Sequence, residues 1–130
     1  MCAVLLLASL PVPVALAQTG TPGNDRLVGG RGPDRLVGRR GDDLLIGNGG
    51  GDTLVGGPGA DTLIGGAGPD RINAAARDRA RDIVLAGAGN DVVGAVDRAP
   101  DQISCGPGRD RVRADRRDAV NRDCEVVRRG

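Results

Sequence analysis

"GGPGADTLIGGAGPDRIN", residues 56–73, is one nine-residue phrase written twice: Gly56-Gly57-Pro58-Gly59-Ala60-Asp61-Thr62-Leu63-Ile64, then Gly65-Gly66-Ala67-Gly68-Pro69-Asp70-Arg71-Ile72-Asn73. Read outward from its aspartate, the phrase fills residues 20–73. Six copies place Asp25, Asp34, Asp43, Asp52, Asp61 and Asp70 nine positions apart without a slip, and two positions after each stands Leu27, Leu36, Leu45, Leu54, Leu63 or Ile72. A fixed period of this kind marks a repeat architecture, in which each unit buries its apolar face only against its neighbours.

The spacing has a physical sense. The last three residues of each copy suit a short strand, with alternation turning the eighth position inward and the seventh and ninth outward. Arg26, Arg35, Thr53, Thr62 and Arg71 are suited to the outward seventh position. The first six residues then form a turn. Its glycines are Gly29, Gly30 and Gly32; Gly38 and Gly41; Gly47 and Gly50; Gly56, Gly57 and Gly59; and Gly65, Gly66 and Gly68. Glycine at these positions permits positive φ and close backbone approach. A string of carbonyls with one carboxylate is a hard oxygen donor set, which suits calcium. Two nine-residue units complete one coil, so an aspartate stacks on the one eighteen residues away. Aspartates also build turns by capping local amides, but asparagine or serine would serve there equally, and the sixth position is Asp in all six regular copies.

The pattern G-G-x-G-x-D-x-U-x resembles the hemolysin-type calcium-binding (RTX nonapeptide) repeat family, most closely over residues 20–73. The resemblance implies an all-β, right-handed parallel β-roll, a β-solenoid with calcium held between stacked turns by two carboxylates and by turn carbonyls. On that reading the pairs Asp25/Asp43, Asp34/Asp52, Asp43/Asp61 and Asp52/Asp70 make four sites, two along each edge, with Asp43 and Asp52 each serving two ions. Asp42, beside Asp43, is expected to contribute mainly its backbone.

After Asn73 the pattern frays. "AAARDRARD" loses the glycines ahead of Asp82, Ala86–Val93 recovers the motif, the stretch before Asp101 loses it, and Cys105–Val112 recovers it again. Good turns therefore alternate. Asp91 and Asp110 fall on one edge as a further candidate pair, the other edge is expected to be free of metal, and Val84, Val93, Ile103 and Val112 continue the inward row.

Composition narrows function. The chain has 130 residues, 23 of them Gly, with no aromatic residue and no His, and all 18 of its basic residues are Arg. Aromatic rings supply much of the buried area in ordinary cores, and a glycine-rich chain loses unusually large backbone entropy on folding, so a thin core is expected to lean on bound ions. Catalytic triads and histidine metal sites are excluded, and the only Ser beyond the leader is Ser104. An enzyme is not expected; a calcium-assisted lyase would need a longer coil. Nucleic acid is not an expected partner either, because no aromatic ring is present to stack on bases. Residues 20–73 carry seven aspartates against six arginines, a net charge of −1, so repulsion in the metal-free chain is mild.

Four segments follow from these observations: a secretory signal peptide over 1–17, regular repeats over 18–73, degenerate repeats over 74–113 and a C-terminal cap over 114–130. The leader is an uncharged apolar run ending in Ala15-Leu16-Ala17, too short and too interrupted by Pro11 and Pro13 for a transmembrane anchor. Cleavage would remove Cys2 and leave Cys105 and Cys124, whose simplest reading in an exported chain is a disulfide stapling the cap, with two free buried thiols as the alternative. Residues 105–130 hold eight Arg against five acids, a net of +3. The expected function is a secreted or cell-surface calcium-binding β-roll with a structural or adhesive role. The alternative is a calcium-dependent module that binds an anionic surface, cell-surface polymer or glycan through outward Arg rows.

Overall fold

The computed structural model describes residues 15–129, so most of the segment assigned to a signal peptide lies outside the described residues. Strands follow in the order β1 (Ala17–Thr19), β2 (Arg26–Val28), β3 (Arg35–Val37), β4 (Leu44–Gly49), β5 (Thr53–Val55), β6 (Thr62–Ala67), β7 (Arg71–Asn73), β8 (Ile83–Ala88), β9 (Val92–Ala95), β10 (Gln102–Ser104), β11 (Arg111–Ala114), β12 (Ala119–Val120) and β13 (Val126–Arg129). Among the described residues there is no helix.

Odd-numbered strands form one 7-stranded sheet in the order β1-β3-β5-β7-β9-β11-β13, and even-numbered strands form a 6-stranded sheet from β2 to β12. Every pairing between neighbours is parallel. The chain therefore crosses from one sheet to the other at each turn, and two repeats make one coil of a parallel β-solenoid. Register follows the period: Leu27 sits opposite Leu45, Leu36 opposite Leu54, and Leu54 opposite Ile72.

Alternation along each strand decides what is buried. Leu36, Leu54, Ile72, Val93 and Val112 form the inward row of one sheet, and Leu45, Leu63, Val84 and Ile103 form that of the other, with Leu27 and Val120 partly buried at its ends. Each row stacks one aliphatic side chain per coil, which parallel strands about 4.8 Å apart bring into van der Waals contact. The first position of each repeat also faces inward and is small throughout. It is glycine in the regular block and then Ala74, Ala86, Ala95, Cys105 and Ala114, all buried.

Changes in repeat length are absorbed in the turns, and the strands stay aligned. Thr62 pairs with Ile83 across the three-residue insertion, and Ile83 pairs in turn with Gln102. Backbone conformation is conserved in the same way: Gly57 (φ 108°) and Gly59 (φ 133°) take the left-handed region at the second and fourth turn positions, and Arg39 (φ 87°) and Asn48 (φ 75°) take it at the second position of their own repeats. Asn tolerates that region, whereas for Arg39 it costs about 1 to 2 kcal/mol; the stacked turns impose it nonetheless.

Both ends are tied. Leu16 donates its N–H to Asp34 Oδ1 (2.7 Å) and accepts from Arg35 N–H (2.8 Å), so backbone bonding begins just inside the segment assigned to the leader. At the other end Cys105 and Cys124 are joined in a disulfide with their Cα atoms 5.1 Å apart. Asp123 beside it accepts from Cys105 N–H (3.1 Å), Gly106 N–H (2.9 Å) and the Ser104 hydroxyl (2.9 Å), closing the last glycine turn.

Candidate metal centre

The sixth-position aspartates are core residues. Because they stand two positions before the inward aliphatic, strand alternation turns them inward too, and Asp34, Asp43, Asp52, Asp61, Asp70, Asp82, Asp91, Asp101 and Asp110 are all buried. Each is tied to the next coil in the same manner. Asp25 N–H donates to Asp43 Oδ1, Asp43 N–H to Asp61 Oδ1, Asp34 N–H to Asp52 Oδ1 and Asp52 N–H to Asp70 Oδ1, all at 2.8 Å. Two ladders result, one along each edge of the coil.

The ladders run further than the regular repeats. One continues from Asp61 through Asp82 and Asp101 to Asp118, the other from Asp70 through Asp91 to Asp110. The eighteen-residue pairs expected from the sequence are neighbours, and so is Asp91/Asp110 at a separation of 19. Sequence reasoning passed over Asp82, Asp101 and Asp118 because their turns lack glycine. It also underrated Asp42: its Oδ1 accepts from Ala60 N–H (2.9 Å) and its own N–H donates to Asn24 Oδ1 (2.8 Å), so the fifth position ties coils together through a side chain and not through its backbone alone.

One oxygen of each ladder carboxylate holds the fold, and the other is left over. Oδ2 of Asp43, Asp52, Asp61, Asp70, Asp91, Asp101 and Asp110 is buried without a hydrogen-bond partner. Such a group is costly unless a cation or a proton meets it. The turn itself supplies a donor at the first coil, where Thr21 N–H reaches Asp25 Oδ2 (2.6 Å) and Gly30 N–H reaches Asp34 Oδ2 (2.5 Å), and at the last, where Asp115 N–H reaches Asp118 Oδ2 (2.7 Å).

At Asp43 and Asp52 a carbonyl oxygen of the next coil stands close to the spare oxygen. A Cβ at Gly38 would lie 2.7 Å from the Gly56 carbonyl oxygen and against Asp43 Oδ2; at Gly47 it would lie 2.5 Å from the Gly65 carbonyl and against Asp52 Oδ2. The first-position glycine thus leaves a cradle, too tight for a Cβ, lined by a carboxylate oxygen and a carbonyl from the next coil. A buried, unpartnered carboxylate oxygen with a carbonyl oxygen beside it fits a hard cation such as calcium. Ahead of Asp91 and Asp110 the same position is Ala86 and Cys105, so a side chain stands where the regular glycines leave none.

Electrostatics agree. Burial pushes the carboxyls of Asp61 and Asp70 up to about 7, Asp82 to about 8 and Asp101 to about 7, opposed by the N–H each accepts and reinforced by neighbouring carboxylates. Asp43, Asp52 and Asp91 shift upward for the same reasons. Burial raises the Asp123 carboxyl, but the amides of Gly106 and Cys105 and the Ser104 hydroxyl together outweigh it and leave the carboxyl lowered.

A family profile described as the RTX calcium-binding nonapeptide repeat (4 copies) matches residues 19–54, 46–76 and 78–93. No curated protein and no solved structure gives a significant match.

The raised carboxyls set a pH dependence whose sign differs between the metal-free and calcium-loaded chains. In the unfolded chain an aspartate titrates near ~3.9, so a folded value near 7 to 8 means that protonation favours the metal-free fold. This contribution is fully present below about pH 4 and is lost as pH rises through about 7 to 8. In chelator the thermal midpoint should therefore fall from pH 5 to pH 8.5. In saturating calcium it should not, because the cation takes the deprotonated form. Melts followed by circular dichroism decide this, and a flat profile in chelator would contradict the buried, proton-requiring ladder.

Proposed function

The chain belongs to the RTX calcium-binding nonapeptide repeat family, and on that premise we propose that it is a secreted, calcium-stabilised β-roll with a structural or adhesive role and no chemistry of its own. The observation that carries this reading is the row of buried, unpartnered Oδ2 atoms, which at Asp43 and Asp52 lie close to a glycine carbonyl of the next coil. Ligands in the regular block would be Asp25, Asp34, Asp43, Asp52, Asp61 and Asp70 with carbonyls of the first-position glycines. Bound calcium supplies the positive charge that the two ladders lack. Export rests on the apolar, small-residue leader ending at Ala17, and the right-handed sense of the coil on the handedness of parallel crossovers. A cap over 114–130 is supported by the Cys105–Cys124 disulfide and by the bonds that Asp123 accepts.

A second reading has one observation in its favour. Arg79, Arg98, Arg116 and Arg117 line a cleft along the turns of the degenerate edge, with Asp115 among them. Outward seventh-position arginines are less suited to an anion, since Arg35, Arg71 and Arg111 alternate across the sheet with Thr53 and Val92. An anionic polymer or glycan would therefore engage the cleft. Retention on heparin that Arg98→Ser and Arg117→Ser together leave unchanged rules out this placement.

Calcium titration followed by far-ultraviolet circular dichroism tests the principal reading. At pH 8.5, where the ladder carboxyls have lost their protons, calcium should convert a largely disordered spectrum to a β spectrum with a half-point near ~0.1 to 1 mM, and magnesium should do so much less because it demands a tight octahedron and gives up water reluctantly. Identical spectra in excess chelator and in millimolar calcium would sink the proposal.

Ladder position ranks the substitutions. Asp52 lies between Asp34 and Asp70, whereas Asp25 ends its ladder. Asp25→Ala should cost about one bound ion and Asp52→Ala about two, with the calcium midpoint shifted further in the second case, since an interior break in a solenoid costs more than a frayed end. Equal losses by calorimetry would mean that the aspartates act as a diffuse acidic surface.

A further inference from the structure

Where one edge loses its glycines it gains a second column of carboxylates. The turn sequences Asp78-Arg79-Ala80-Arg81-Asp82, Asp97-Arg98-Ala99-Pro100-Asp101 and Asp115-Arg116-Arg117-Asp118 repeat a D-R motif ahead of the ladder aspartate. Asp78 Oδ1 accepts from Ala80 N–H (3.1 Å) and Oδ2 from Gly59 N–H (2.6 Å). Asp97 does the same one coil later, with Oδ1 on Ala99 N–H (2.8 Å) and Oδ2 on Ala76 N–H (3.2 Å). Each of these side chains closes its own turn and ties it to the coil before.

At one level the two columns converge. Carboxylate oxygens of Asp82, Asp97 and Asp101 lie within 4.8 Å of one another. Asp82 and Asp101 are buried and Asp97 is half-buried. Asp101 spends Oδ1 on Asp82 N–H (2.9 Å), and its Oδ2, fully buried, has no partner. Ala95 stands where a regular repeat has its first glycine, so the carbonyl cradle of the regular block is not reproduced here.

We propose that Asp82, Asp97 and Asp101 form a calcium site of a second kind, in which the carboxylate of Asp97 takes the place of the turn carbonyls used in the regular repeats. The edge expected to be free of metal is then not so. Three carboxylates with no nitrogen or sulfur donor select a hard cation over zinc or copper, and calcium accepts the irregular geometry of a side chain that also serves a turn, which magnesium does not. The site depends on none of the glycine turns and is separable from the regular ladders by substitution.

The test is calcium stoichiometry of the full chain by equilibrium dialysis with radioactive calcium. Asp97→Asn keeps an acceptor for Ala99 N–H while removing a charged ligand. Asp78→Asn makes the equivalent change one coil earlier, outside the converged group. Asp97→Asn should bind one calcium fewer than the unsubstituted chain, and Asp78→Asn the same number. Equal stoichiometry in the Asp97→Asn chain, with the regular sites still filling, overturns the site and leaves the ladder reading standing. A single bound calcium that Asp97→Asn abolishes and Asp52→Ala spares supports the site and overturns the ladder reading. Should Asp97→Asn fail to fold by circular dichroism, europium excitation spectra of the unsubstituted chain decide: a three-carboxylate site gives a line distinct from that of two-carboxylate sites, and a single line overturns the proposal.

Discussion

The hydrogen bond from one ladder aspartate's N–H to the Oδ1 of the aspartate in the next coil is the contact on which the rest depends. It joins the end of each turn to the start of each strand, fixes the register between coils, and forces a carboxylate into the interior. With Oδ1 committed, Oδ2 is left buried without a partner in most coils. An asparagine would accept the same N–H and offer its amide to a neighbouring carbonyl, giving a coil that needs no ion. Aspartate refuses that solution: where the turn offers no N–H, its second oxygen is quieted only by a proton or a cation. The raised carboxyl titration and the calcium reading are therefore two answers to one deficit.

The thin core makes this deficit matter. One aliphatic side chain per strand, with no aromatic residue anywhere in the chain, buries little area for the backbone it must order. Parallel pairing supplies the hydrogen bonds, yet every coil also places carboxylates in the interior. Opposed terms of this size leave stability in the hands of whatever neutralises the ladders.

The two edges solve the turn differently once the regular block ends. One keeps its glycines through Gly87, Gly89, Gly106 and Gly108, all at positive φ, with each backbone passing close under the coil before. The other replaces glycine geometry with side chains, using Asp78, Asp97 and Asp115 to accept the amides that a tight glycine turn would bond through its own backbone. Strand register survives both solutions because each coil answers only to its neighbours.

The nine-residue period by itself determined a repeat architecture of short strands with an inward aliphatic row, since both are consequences of alternation and repetition; the parallel coil of two repeats per turn, with aspartates stacked at eighteen, followed from the resemblance that the period carries. The period also took the inward row through Val84, Val93, Ile103 and Val112, whose spacing to the next aspartate-led strand could be read despite the insertion. Tertiary structure alone decided which oxygen of each carboxylate is spent and which is spare, because that depends on an amide in the neighbouring coil. It decided that Asp42 binds through its side chain, that Asp82, Asp101 and Asp118 continue a ladder without glycine turns, and that Asp97 swings beside two of them. Contacts between residues 17 to 21 apart in sequence, through turns of unequal length, leave no local pattern to read, and only the closed coil brings their atoms together.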